Sequence, residues 1–166
     1  MTEMRKTIIE TMEHYRKKLY PNNKHWKVLE IGIDGDIKPG GNYQLFGIGN
    51  EYKTLDFLER LKPDYVADIT DTKMPSNEWD LIICSQTLEH VFEIRKAIGE
   101  IYRMLKKGGY AIIDNPWEYP YHGLSDYGDY WRISEPAMRK LVSEAGFEII
   151  ECKQIKSLVT SLVRKV

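Results

Sequence analysis

The stretch KVLEIGIDGD, residues 27–36, predicts a short buried strand that runs directly into a glycine turn. Apolar residues fill most of the strand, and Gly32 and Gly35 allow the backbone to turn sharply and approach a ligand. An open α/β sheet binds its ligand at the carboxyl ends of such strands. Glu30 stands near that end, where a plain buried strand would place another apolar residue, so this end is a candidate binding site.

The composition is that of an ordinary globular chain, and we predict one domain over residues 1–166. The 24 basic and 25 acidic residues give a net charge of -1, so no bulk field favours nucleic acid or an anionic membrane. No apolar run approaches the roughly 20 residues that span a bilayer, and the first residues lack the apolar core of a secretory signal. Cys84 and Cys152 lie far apart in apolar runs, which favours free thiols in a reducing cytoplasm.

Helix-like and strand-like patterns alternate along the chain. Apolar residues at three- and four-residue steps predict a helix over residues 2–19, and we expect residues 1–22 to pack on the sheet as an N-terminal helix. Further helices are predicted over 91–106, ended by Gly108 and Gly109, and over 135–145. Further strands are predicted at residues 52–56, 64–68, 79–84, 110–114, 147–152 and 158–163. With the last two strands close enough to pair antiparallel, the pattern predicts a three-layer α/β sandwich.

Residues 37–50 depart from this alternation. A Rossmann-like domain would place a helix here, with its N-terminus facing the ligand. Instead the segment contains Pro39 and four glycines, which break helices. We therefore expect a loop or a much-shortened helix.

An acid closes the second predicted strand. Asp56 lies a little over twenty residues beyond the glycine turn, about where a Rossmann-like fold places the carboxylate that accepts both ribose hydroxyls. The alternative is a solvated acid at the end of a strand. The placement favours the ribose role.

Several motifs stand in order from about residue 27 onward. They are VLEIG (28–32), TLD (54–56), ADI (67–69), DLIICSQTLEHV (80–91), LKKGG (105–109) and the tail over 135–166. The ordered set resembles the class I S-adenosylmethionine-dependent methyltransferases, in the small single-domain branch with Leu-Glu-His after the fourth strand. The resemblance implies a Rossmann-like, seven-stranded, mostly parallel sheet with an antiparallel last strand. It also implies methyl transfer from S-adenosylmethionine to a nucleophile, with S-adenosylhomocysteine as the product.

The same resemblance implies roles around the cofactor. Gly32 would let the backbone approach the methionine part, and Glu30 would help to hold the ammonium group. Asp68 would accept from the adenine amino group, with Ile69 flanking the ring, although a turn cap explains Asp68 equally well. Ser85 stands where the family lines the pocket with backbone.

Two acids depart from the first motif of the family, which has glycines at the positions of Asp34 and Asp36. The Asp34 carboxylate can face the ammonium and sulfonium groups of the cofactor, so Asp34 is a cofactor-binding candidate. The same carboxylate would repel the carboxylate of the cofactor. The adenosine half of the site is therefore better supported than the methionine half.

Residues 115–132 form a long aromatic connection after the fifth strand, on the ligand side of the sheet. Its rings can stack on a planar or sugar ring, so we predict that it is the substrate-side segment. His122 is the favoured proton acceptor because the ordinary histidine pKa lies near neutrality, and Asp129 is a further catalytic candidate. The alternative is a self-packed loop in which Arg132 pairs with an acid.

His90 is the third catalytic candidate, because in this branch the matching histidine lies near the substrate. A histidine at a helix start is equally often a local cap partner. The four histidines of the chain show no metal-ligand spacing, so we predict no metal site.

The preferred function is methylation of a small molecule, on oxygen, with saccharides or related metabolites as one acceptor class. The alternative is a degenerate Rossmann-like domain that binds a nucleoside or a protein partner without methyl transfer, which Asp34 and Asp36 favour. A nucleic-acid methyltransferase is weakened by the balanced charge. The expected partners are a small-molecule acceptor and, as an option the sequence leaves open, a second copy of the chain. No membrane or nucleic-acid partner is expected.

Overall fold

A computed structural model of the chain describes residues 2–19, 25–33 and 41–166. In chain order the elements are α1 (Glu3–Leu19), β1 (Lys27–Ile31), α2 (Tyr43–Phe46), β2 (Glu51–Asp56), β3 (Tyr65–Val66), β4 (Trp79–Ser85), α3 (Ile94–Met104), β5 (Leu105–Pro116), α4 (Glu135–Glu144), β6 (Phe147–Ile155) and β7 (Leu158–Lys165). Single 3-10 turns occupy Glu59–Leu61 and Leu88–His90. None of the described helices is both long and apolar enough to cross a membrane.

The seven strands form one sheet in the order β3-β2-β1-β4-β5-β7-β6. Parallel pairs join β3 to β2, β2 to β1, β1 to β4 and β4 to β5. The last strand, β7, lies between β5 and β6 and runs antiparallel to both. The predicted Rossmann-like architecture, mostly parallel with an antiparallel last strand, is confirmed. Only β3 is much shorter than predicted, and its two residues are exposed at the edge of the sheet.

Alternate residues of the central strands pack into two cores, one on each face of the sheet. Ile82 of β4 packs with the apolar side chains of α3 and α4. Its neighbour Leu81 packs on the opposite face with Met12 and Tyr15 of α1, both fully buried. The predicted N-terminal helix is thus present over Glu3–Leu19 and covers one face, while residues 20–22 lie outside the described ranges.

The helix after the fourth strand is shorter than the predicted span of residues 91–106. It ends at Met104 and the chain enters β5 at the next residue, so Gly108 and Gly109 lie inside a strand and do not end the helix. The pairing of β5 with β4 is irregular at this point. A Cβ on Gly109 would lie 2.9 Å from the carbonyl oxygen of Lys106 and 3.1 Å from each of two carbonyl oxygens of β4. Close backbone on both sides, including β4, therefore explains the glycine that the local pattern assigned to a helix stop.

The described part of residues 37–50 begins at Gly41 and contains a single helical turn, α2. Phe46 is fully buried and anchors this turn in the core that α1 covers. The described part agrees with the predicted much-shortened helix. Residues 37–40, together with the candidate Asp34 and its neighbour Asp36, lie outside the described ranges.

Candidate active site

A cleft of about 1020 Å³ opens at the carboxyl ends of β1, β2 and β4. This is the point where the strand order reverses between β1 and β4, and open α/β sheets bind ligands there. Seven of the predicted site residues line it: Glu30, Gly32, Asp56, Asp68, Ile69, Ser85 and His90. His122 and Asp129 do not line the cleft but lie behind His90.

Gly32 adopts a conformation and a packing that other residues do not tolerate. Its φ is +75°, and an added Cβ would lie 1.9 Å from Oγ1 of Thr87. The Thr87 hydroxyl is held within hydrogen-bond distance of the carbonyl oxygens of Ile31 at 3.1 Å and Ser85 at 3.0 Å. The ends of β1 and β4 therefore meet at this glycine, and the Thr87 side chain takes the space that a side chain on residue 32 would need.

Asp56 lies at the end of β2 and faces the cleft. Its carboxylate accepts hydrogen bonds from the backbone N–H of Ile33 at 3.0 Å and of Leu58 at 2.8 Å. Only 7% of the residue is exposed. These bonds hold the carboxylate in one orientation beside the glycine turn, and its ribose role stays a prediction.

Glu30 is buried below the glycine turn. Its carboxylate accepts from the hydroxyl of Tyr52 at 2.7 Å and from the side-chain amide of Asn42 at 2.7 Å. Burial raises its pKa, and the hydrogen bonds from Tyr52 and Asn42 work against that shift. Since both donors are neutral, the negative charge of the carboxylate stays available to a cationic ligand group. Its role toward the ammonium of the cofactor stays a prediction.

Asp68 accepts from both the backbone N–H and the hydroxyl of Thr70, each at 2.8 Å. This is the turn cap that the sequence allowed as an alternative. Asp68 nevertheless lines the cleft, and the adjacent Ile69 presents a buried apolar side chain there. Both interpretations of Asp68 are therefore compatible with its position.

A buried acid that the sequence did not single out lies under the end of β4. Asp114 is fully buried in β5, and its Oδ1 accepts from the hydroxyl of Ser85 at 3.0 Å and the side-chain amide of Gln86 at 2.6 Å. No described residue donates to its Oδ2. Burial raises the pKa of Asp114 to about 6, opposed by the bonds from Gln86 and Ser85. The acid fixes the loop that follows β4 at the floor of the cleft.

Replacing Asp114 by asparagine is expected to stabilise the protein at pH 7.5 by up to about 3 kcal/mol. Because the folded-state pKa of about 6 lies above the ordinary 3.8, the stability from the neutral acid is present below pH 3.8 and lost as pH rises through 6. Asparagine keeps an oxygen for Ser85 and Gln86 and cannot ionise. Urea unfolding at several pH values should show the difference shrinking toward pH 4. A variant no more stable than the wild type at pH 7.5, with exposed Asp71→Asn as the control, would contradict this.

The aromatic segment is held by one buried ion pair. Arg132 donates to Asp129 at 2.5 and 2.8 Å and to the carbonyl oxygens of Tyr119 and Pro120 at 3.0 and 2.9 Å. The Asp129 side chain is only 1% exposed and also accepts from the backbone N–H of His122 at 2.9 Å. The bonds from Arg132 hold the pKa of Asp129 well below its usual range. The self-packed loop with a paired Arg132 is thus present, whereas the catalytic role of Asp129 stays a prediction.

Glu89, His90 and His122 come together behind the cleft. The Glu89 side chain is fully buried, and its Oε1 lies 3.7 Å from Nε2 of His90 and 3.8 Å from Nε2 of His122. The two imidazole rings are 4.8 Å apart. Burial raises the pKa of Glu89 to about 8 and lowers that of His90. Sequence spacing did not reveal this cluster, because His122 reaches Glu89 only through the fold of the aromatic segment.

The chain resembles known proteins in sequence over part of its length and in structure over nearly all of it. Residues 38–113 match a family model described as a methyltransferase domain. Curated proteins gave no match. A protein of Pyrococcus horikoshii OT3 has a similar structure, with a TM-score of 0.75 at 15% identity over 99% of this chain and 92% of that one.

Two further solved structures share the fold. An S-adenosylmethionine-dependent methyltransferase of Mesorhizobium loti gives a TM-score of 0.70 at 11% identity, covering 92% of this chain and 96% of that one. The 1,6-didemethyltoxoflavin-N1-methyltransferase of Burkholderia thailandensis, with 1,6-didemethyltoxoflavin and S-adenosylhomocysteine bound, gives 0.71 at 13% identity, covering 93% of this chain and 78% of that one. At such identities the likeness shows the fold alone.

The methyltransferase-domain match over residues 38–113 and the strand order both agree with the resemblance to class I S-adenosylmethionine-dependent methyltransferases that the motifs carry. The cofactor that this resemblance implies is S-adenosylmethionine. The described residues fit that cofactor. The fixed carboxylates of Glu30 and Asp56 border the cleft beside the glycine turn and can meet the ammonium and the ribose hydroxyls of that cofactor.

Proposed function

We propose that the enzyme methylates a hydroxyl oxygen of a small molecule that carries a planar or sugar ring, with saccharides and related metabolites as the first candidates. The observation that carries this proposal is the composition of the acceptor side of the cleft. Tyr127, Tyr130 and Phe92 line it, and 51% of Tyr130 and 67% of Phe92 are exposed. Exposed aromatic faces favour stacking on a ring.

The cofactor is proposed to lie with its adenosine toward β2 and β3. Asp56 would accept the ribose hydroxyls, and Asp68 and Ile69 would bind the adenine. Gly32 and the backbone at Ser85 would border the methionine part. Glu30 would compensate the ammonium group through its buried carboxylate. These roles rest on the position of each residue around one cleft.

Methyl transfer is an in-line displacement at a carbon that the sulfonium already activates. Alignment of the two reactants therefore supplies most of the acceleration, and a proton acceptor matters when the nucleophile is a hydroxyl. We propose that the proton leaves through the cluster of Glu89, His90 and His122, of which His90 reaches the cleft. Asp129 would act by positioning His122, since Arg132 already neutralises it.

A small-molecule acceptor also agrees with the balanced charge of the chain and with the structure from Burkholderia thailandensis, which holds 1,6-didemethyltoxoflavin. Both cysteines are free and buried, which supports a reducing cytoplasm as the proposed location. A homodimer and a single domain over residues 1–166 stay predictions.

Calorimetric titration with S-adenosylmethionine and S-adenosylhomocysteine tests the cofactor site first. A panel of hydroxyl-bearing sugars and phenols, assayed by release of S-adenosylhomocysteine, then tests the acceptor class. Turnover confined to amines or to nucleic acid would overturn the proposal of oxygen methylation. Absence of both cofactor binding and turnover would favour the alternative of a binding domain without methyl transfer.

Asp56→Ala is expected to weaken S-adenosylhomocysteine binding at least tenfold, about 1.4 kcal/mol, because the ribose hydroxyls lose a charged acceptor. The variant also frees the N–H groups of Ile33 and Leu58, so its thermal unfolding must be measured alongside. Asp71→Ala removes an exposed acid and serves as the matched control. An unchanged dissociation constant in a folded Asp56 variant would exclude the ribose role.

A further inference from the structure

We infer that Glu89, His90 and His122 form a binding site for a divalent transition-metal ion beside the acceptor end of the cleft. Each residue offers one ligand atom, and the three atoms all lie within 4.8 Å of one another. The Leu88–His90 turn supplies two of the ligands, and the aromatic segment brings the third. Residues 128 and 130 of that segment bond to this turn, at the Nδ1 of His90 and the carbonyl oxygen of Glu89, so the arrangement is fixed by backbone.

The strongest sign of a missing cation is the carboxylate of Glu89. Its side chain is fully buried, and apart from its own backbone N–H no described residue donates a hydrogen bond to either oxygen. Burying a carboxylate without a partner costs free energy, because the group loses its hydration and gains no compensating charge. The groups that face it are the two Nε2 atoms, at 3.7 and 3.8 Å, which is too far for hydrogen bonds.

Both imidazoles are oriented as metal ligands. His90 donates its Nδ1–H to the carbonyl oxygen of Gly128 at 2.6 Å, which leaves the Nε2 lone pair directed toward Glu89. The Nδ1–H of His122 donates to the carbonyl oxygen of Pro120 at 3.2 Å and lies 3.1 Å from Oδ2 of Asp129, which likewise leaves Nε2 toward Glu89. Metal-bound histidines in general donate their other ring N–H to a carbonyl or a carboxylate. Since Arg132 neutralises Asp129, that acid supports the ring without competing for the ion.

The ligand set selects the class of ion. Two imidazole nitrogens and one carboxylate suit zinc and neighbouring first-row ions, whereas magnesium and calcium prefer oxygen alone. Tetrahedral zinc would hold such atoms about 3.4 Å apart. Small side-chain rotations would close the present gaps. Three protein ligands leave a position for water or for the acceptor oxygen, whose pKa the ion would lower. With the ion bound, the imidazole lone pairs are occupied, so this effect would replace proton transfer to the histidines. That last role rests on the proposed function, whereas metal binding does not.

The test uses full-length protein without a histidine tag, stripped with a chelator. Titration with cobalt(II) should give one equivalent of bound ion with visible ligand-field absorption, and zinc should displace it. Calorimetry with zinc should give the same stoichiometry. A failure to bind either ion would overturn the inference, as would binding whose affinity the ligand variants leave unchanged.

Glu89→Gln and His122→Ala should each weaken zinc binding by at least about a hundredfold. Glu89→Gln removes only the charge of a buried group, so it should fold at least as well as the wild type, and thermal unfolding will check this. His14→Ala is the matched control, because His14 meets Glu151 on the surface far from the cluster. S-adenosylhomocysteine binding is measured in parallel. A protein that binds zinc but not S-adenosylhomocysteine would contradict the proposed function and leave the metal site standing. A protein that binds S-adenosylhomocysteine but not zinc would contradict the metal site and leave the proposed function standing.

Discussion

Gly32→Ala is expected to weaken cofactor binding by at least about a hundredfold, close to 3 kcal/mol, and to lower the thermal stability of the protein. The new methyl group would lie 1.9 Å from Oγ1 of Thr87, whose hydroxyl is tied to the ends of β1 and β4. Either Thr87 moves or the glycine turn opens. The residue would also hold a φ of +75°, which costs an alanine about 1 to 3 kcal/mol. Calorimetry with S-adenosylhomocysteine measures the loss.

Gly49→Ala separates the effect of the clash with Thr87 from the effect of backbone strain at a positive φ. Gly49 has a φ of +80°, but an added Cβ would meet nothing within 4 Å. It therefore reports backbone strain alone, and its cofactor affinity should match that of the wild type. If both variants lose the same stability and neither loses affinity, the contact between Gly32 and Thr87 does not shape the cofactor site.

Arg132→Ala is expected to destabilise the protein by about 3 kcal/mol, because it leaves the buried carboxylate of Asp129 without its cation. The aromatic segment also loses the bonds from Arg132 to Tyr119 and Pro120, so it should become accessible to protease. Denaturant unfolding and limited proteolysis measure the two effects.

The control for Arg132 is Arg95→Ala, which removes an exposed pair with Glu144 and should change stability by less than about 1 kcal/mol. The double variant Arg132→Ala with Asp129→Ala should lose less than the two single losses combined, since neither partner is then left unpaired. Equal losses in the Arg132 and Arg95 variants would show that the buried pair is not what holds the segment.

Local patterns predicted the parts of the fold that local chemistry determines. The strand at Lys27–Ile31 and the turn at Gly32 follow from apolar residues and a glycine in sequence, and α4 begins where Ser134 caps it through the N–H of Ala137. The prediction for Gly109 was wrong, because the sequence does not distinguish a glycine that ends a helix from a glycine that makes room for a neighbouring strand.

The residues of the candidate site divide in the same way, into those that the local sequence indicates and those that only the fold brings together. Asp56 and Asp68 could be predicted as site residues because each stands at the end of a predicted strand. Glu89 was not, since nothing near it in the sequence indicates that His122 will face it from a different segment. The pairing of Arg132 with an acid was foreseen only as an alternative, and the structure identifies that acid as Asp129. An acid three residues from an arginine is equally common on a solvated surface.

The position of β7 constrains when the sheet can be completed during synthesis. Every partner of β6 in the sheet belongs to β7, and β7 also covers the far edge of β5. Until the ribosome has released residues 158–165, β5 remains an open apolar edge and β6 has no strand to pair with. A nascent chain paused before that point would present a template for pairing with other chains. Rapid synthesis of the final strand, or its protection by a chaperone, therefore matters more for this topology than for a sheet built in sequential order.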